Sequence, residues 1–83
     1  MTEIEGIKLD SVEKAYDFVN SMVMFPCDMD LEGGQRKHIV DAKSIMGVLS
    51  LDLTGMLTLK VGTDDEEIVT GIQNILQDIG ATG

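Results

Sequence analysis

Tryptophan is absent from this 83-residue sequence, and cysteine, histidine, tyrosine and proline occur once each, as Cys27, His38, Tyr16 and Pro26. A lone cysteine forms no internal disulfide, so nothing covalent staples the fold, and the expected setting is reducing and cytoplasmic. One Cys and one His cannot build a zinc site. Two Phe and one Tyr leave too few rings for a platform that stacks single-stranded nucleic acid. Positive charge is scarce as well: 6 Lys and Arg stand against 15 Asp and Glu, a formal net charge of -9. That balance argues against the phosphates of DNA or RNA and against anionic membrane surfaces. No run reaches the length of a membrane span, and the start, Met-Thr-Glu-Ile-Glu, is acidic, unlike a signal peptide. The length fits a single domain over 1–83, too small for a scaffold plus a large active-site cleft. The expectation is a non-enzymatic module, without cofactor or metal, that binds other proteins.

The 43% of hydrophobic residues is too high for a disordered acidic tail, and their spacing predicts elements with short connections. Residues 2–9 read as a strand in which Gly6 disturbs the alternation. Residues 11–24 read as a helix, with Val12, Ala15, Tyr16, Val19, Met22 and Val23 on one apolar face. Asp10 or Ser11 can cap it, and Asp10 with Glu13 has capping-box spacing. Cys27, Met29 and Leu31 alternate with acids in a half-buried strand over 27–32, which makes Cys27 a small core residue. Gly33-Gly34 then supplies a turn, and 36–41 returns as a second strand. The Gly pair has no helix with a basic residue behind it, so it is not a phosphate loop.

Residues 43–51 read as a short helix and 56–61 as a strand with Leu57, Leu59 and Val61 inward. A last helix over 64–79 carries Ile68, Ile72, Ile75, Leu76 and Ile79. Thr63 with Glu66 gives its capping box, and the acids 64–67 suit a helix start. They lack the spacing and the glycine of a calcium loop. The order strand, helix, strand, strand, helix, strand, helix predicts an α+β open-faced sandwich: a four-stranded antiparallel sheet with three helices on one face. The other face, with Asp28, Asp30, Thr58 and Lys60, would meet water.

The run Lys43-Ser44-Ile45-Met46-Gly47, inside the longer block Asp41–Leu51, resembles a signature of the HPr family. These are the small phosphocarriers of the bacterial sugar phosphotransferase system. The element order is also the family's, and the resemblance covers most of the chain, with about two extra residues in the 33–38 turn. It implies two phosphate sites. One is a carrier His at the start of the first helix, followed by Ala, Arg and Pro, which takes phosphate from enzyme I. Registering Phe18-Val19 puts Ser11 at that position, with Val12, Glu13 and Lys14 in place of Ala, Arg and Pro. A serine there has no adjacent base in sequence, and Glu13 repels the phosphate that an arginine would hold. The resemblance therefore implies a member without the carrier histidine, as in the branch called Crh.

The second site is the Ser of Lys-Ser-Ile-Met-Gly, a regulatory position phosphorylated by a dedicated kinase with ATP. Here it is Ser44, with Lys43 beside it. A serine at a helix start is also an ordinary cap, and the two readings are compatible. Ile45, Met46 and Leu49, beside Val12 and Tyr16, are the family's partner-docking positions. They are equally readable as core, although a short helix cannot bury every side. Exposed docking is favoured for Met46, whose side chain adapts to several partners. The function implied is regulation or protein binding in the phosphotransferase system or carbon catabolite control. The alternative is a working phosphocarrier that uses Ser11 or His38; His38 reads more simply as an exposed strand residue next to Arg36 and Lys37.

Overall fold

The computed structural model describes residues 1–82. Seven elements follow one another: β1 (Thr2–Ile7), α1 (Val12–Met22), β2 (Met29–Gly33), β3 (His38–Asp41), α2 (Ile45–Leu49), β4 (Leu57–Val61) and α3 (Glu66–Asp78). The strands form one antiparallel sheet in the order β1-β4-β2-β3, so β1 and β3 are its edges. The three helices cover one face, which gives the α+β open-faced sandwich expected from the sequence.

Alternation explains most of the packing. Met29 and Leu31 from β2 and Leu57, Leu59 and Val61 from β4 are buried beneath the helices. Their neighbours in sequence turn to water on the open face. There Lys60 pairs with Glu32 at 2.9 Å, and its hydrogen bond to that carboxylate raises the lysine pKa. In β1, the register slips between Ile4 and Ile7. Gly6 adopts φ +73 at that bulge, a left-handed conformation that glycine enters without strain. The extra residue brings Ile4 and Ile7 to the same buried side, although they lie three apart.

Burial changes the helical register expected for α1. Its inward residues are Ala15, Phe18, Val19 and Met22, whereas Val12, Tyr16 and Val23 are exposed. The sequence contains two overlapping apolar stripes, and the sheet takes the one that includes Phe18. In α3, Ile72 and Leu76 are buried, while Ile68, Ile75 and Ile79 pack partly against the core. Cys27 is half-buried rather than buried, because β2 begins only at Met29 and leaves it at the margin.

Other boundaries shift for local reasons. The α3 helix starts at Glu66, with Asp65 as its cap, accepting from the Glu67 and Ile68 amides. Thr63 accepts from the Asp65 amide one turn earlier, so the Thr63–Glu66 capping box does not form. Residues 34–37 make the β2–β3 turn, closed by the Lys37 amide donating to Gly34 O. Gly34 and Lys37 both take positive φ, which delays the second strand until His38. No described helix is long and apolar enough to cross a membrane.

Candidate functional site

Two serines start two helices in the same way. Ser11 has an extended backbone, and its Oγ accepts from the Lys14 amide at 3.1 Å. Ser44, also extended, accepts from the Gly47 amide at 3.2 Å. Each satisfies one of the amides that a first helical turn leaves without a partner. Asp10 is not the cap of α1, and no Asp10–Glu13 box forms, because its carboxylate turns to the Lys14 ammonium at 3.1 Å. That hydrogen bond and charge hold the Asp10 carboxyl below the usual carboxylate range.

The surroundings of the two hydroxyls differ. Ser11 is exposed and lies in an open groove with Lys8, Leu9, Asp10, Val12, Leu53 and Thr54. Leu53 and Thr54 carry no local motif that marks them; the fold brings them to Ser11 from the segment after α2, whereas Lys8 lies three residues before Ser11 in the same stretch. Asp52 anchors the far wall by accepting from the Thr54 amide and hydroxyl, which lower its pKa. Ser44 is half-buried. The adjacent Lys43 ammonium does not sit over Ser44 Oγ; it donates at 2.7 Å to the carbonyl of Phe25, just beyond α1. The Lys43 amide in turn donates to the Asp41 carboxylate. Helix α2 thus begins near the end of α1, and the segment after α2 returns to its start.

The expected apolar docking residues lie on both of these helices. The two helices pack against each other, and the apolar side chains left outside are Val12 at 61% exposure, Tyr16 at 47%, Met46 at 82% and Leu49 at 39%. Ile45 is partly buried against the core, and Val48 is the residue of α2 that is fully buried. The structure does not bring His38 to either serine. It is exposed at the start of β3 and lines a separate polar groove with Gly33, Gly34, Gln35, Arg36, Ser50, Leu51 and Asp52. Among the described residues, no cluster of His, Cys, Asp and Glu could hold a metal ion.

Residues 12–78 match the family model described as the phosphorylation site of the phosphotransferase-system HPr component, and the chain belongs to the HPr family. The matched span begins at Val12, one residue after Ser11.

Solved structures agree. HPr-C-His from Thermoanaerobacter tengcongensis is 28% identical, with a TM-score of 0.74 over 95% of this chain and 94% of that one. The Crh protein of Bacillus subtilis, described as a swapped, intertwined dimer, is 30% identical, with a TM-score of 0.60 over 89% and 85%. The histidine-containing phosphocarrier protein of Mycoplasma shares the fold at 16% identity and a TM-score of 0.75, covering 98% of both chains. The comparison with curated proteins gives no match. Family members are phosphocarriers of the phosphotransferase system that work through contacts with its other proteins, rather than enzymes.

Proposed function

We propose that this chain is a regulatory, protein-binding member of the family, in which phosphorelay through the start of α1 is lost and Ser44 is the phosphate acceptor. Its setting would be the cytoplasm, and it would itself catalyse nothing. The observation that carries the reading is the environment of Ser11, the residue that registers at the carrier position. Phosphoryl capture there needs a nucleophile with a base beside it. The charged groups beside Ser11 are Lys8, Asp10, Lys14 and, in the first turn of α1, Glu13. Of the two carboxylates, Asp10 lines the groove and is held by Lys14, which lowers its basicity and makes it a poor proton acceptor; Glu13 does not line the groove. The Ser11 hydroxyl is already engaged as a cap.

The face made by Val12, Tyr16, Met46 and Leu49, with Ile45 at its edge and Lys43 at its head, is the proposed docking surface. Large apolar side chains left in water on two helices that pack together suit a partner contact. A phosphate on Ser44 would stand at the head of this face. It would add close to two negative charges and three acceptor oxygens for a partner's basic side chains. Incubation with the family's Ser kinase and ATP tests the reading. Wild-type protein should gain one phosphate and Ser44→Ala none; an unphosphorylated wild type removes the mechanism.

The carrier alternative draws on the placement of His38 beside Arg36 in a polar groove. Enzyme I with phosphoenolpyruvate separates the two readings. Label that disappears in His38→Ala or Ser11→Ala supports a relocated carrier.

A further inference from the structure

Three of the six Lys and Arg residues of this acidic chain have a side-chain partner. Lys14 pairs with Asp10 and Lys60 with Glu32, and Lys43 donates to the Phe25 carbonyl. At the β2–β3 turn the pattern reverses. Arg36, Lys37 and His38 are consecutive and exposed, and among the described residues none of them meets a carboxylate in an ion pair. The nearest acid in their groove is Asp52, whose carboxylate accepts instead from Thr54. The turn is closed by the Lys37 amide donating to Gly34 O.

Guarding the sheet edge does not account for this sign. Charge on an edge strand deters strand pairing whichever its sign, and the opposite edge, β1, carries Glu3 and Glu5. In a chain of net charge -9, a cationic cluster at the other edge is a local inversion of the field. The same groove is walled by Ser50 and Leu51, directly after α2, so the cluster flanks the exposed end of that helix at Leu49.

We propose that the Arg36-Lys37-His38 turn is a docking point for an acidic segment of a partner protein, whose carboxylates it receives over the groove walled by Ser50 and Leu51. Charge complementarity selects the occupant. Two cations and an imidazole on an otherwise acidic molecule attract a short run of carboxylates at close range, whereas a long polyanion meets the repulsion of the whole surface. The contact goes beyond the phosphate reading and stands whether or not Ser44 is modified.

The test is an amide-shift titration of the labelled protein with a hexaglutamate peptide at low salt. Shifts should be confined to residues 33–38 and 50–52 and should fade as salt is raised. Arg36→Ala combined with Lys37→Gly should weaken the peptide by about tenfold or more. Lys37→Gly also relieves the left-handed backbone at that position, so loss of binding in it does not arise from loss of fold. Equal affinity in the double variant overturns the proposal, as do shifts elsewhere on the surface. Equal shifts with inorganic phosphate would reassign the groove to small anions, and stronger binding of a single-stranded oligonucleotide would reassign it to nucleic acid. Either result overturns the assignment to a protein segment.

Discussion

The starts of α1 and α2 use the same device and differ in everything around it. Both are capped by a serine oxygen that accepts from the amide three residues on. At α1 the cap stands among charged groups that engage one another, with Glu13 in the first turn. At α2 the first turn has no acid, the serine is half-buried, and the neighbouring lysine ties the element to the end of α1. The cap is thus a local property of the chain, whereas suitability for phosphate depends on which distant groups the fold delivers. The contrast extends to the helix faces: α1 gives one stripe to the core and turns the other toward α2 and the solvent.

The largest effect should come from breaking that division of faces. Phe18 is fully buried and Tyr16 is half in water. Phe18→Ala should therefore destabilise the fold by about 3–5 kcal/mol in urea unfolding. Tyr16→Ala should fall within about 1 kcal/mol of wild type. Comparable losses for the two would mean that the stripes have been exchanged.

Next in size is the tie between the helices. Lys43→Met removes a charged donor from the Phe25 carbonyl, a part-buried bond, and should lose about 1–2 kcal/mol in the same assay. Lys14→Met removes a pair of the half-buried lysine with the exposed Asp10 and should lose clearly less. The reverse order would show that the start of α1, not that of α2, is the anchored one.

The caps themselves should come out alike. Ser11→Ala and Ser44→Ala are each expected to lose about 1 kcal/mol, and the corresponding glycine variants a few tenths. Unequal caps would break the equivalence from which the comparison starts.

The smallest effect is with pH. The pKa of Asp10 is lowered in the folded state from its ordinary 3.8. Its contribution is therefore complete above that value and is lost as pH falls through the lowered one. Acid unfolding of Asp10→Asn should lack this component, and the difference should shrink in high salt.

How much of this was legible in the sequence follows from the range of each interaction. Alternation in Met29–Leu31 and Leu57–Val61, and the order of elements, are periodic signals, and they gave the sheet and its three helices. The Lys43–Gly47 run pointed to the family and to Ser44. The buried stripe of α1 was misread because Val12 and Tyr16 have the same helical spacing to their neighbours as Phe18 has. Hydrophobicity does not say whether a stripe meets a sheet or the solvent. The start of α3 was misread because Thr63 and Asp65 are both good caps, and only the hydrogen bonds to the Glu67 and Ile68 amides choose between them. The Lys43–Phe25 bond spans 18 residues, and the Ser11 groove joins two separate segments, so neither has a local pattern.

The central claim is that phosphate chemistry resides at the start of α2 and has left the start of α1. The most direct test is to place the wild-type protein with enzyme I, phosphoenolpyruvate, the Ser kinase and ATP in one neutral mixture. The position of every phosphate is then mapped by mass spectrometry. The account predicts phosphate on Ser44 alone; phosphate on Ser11 or His38 would contradict it.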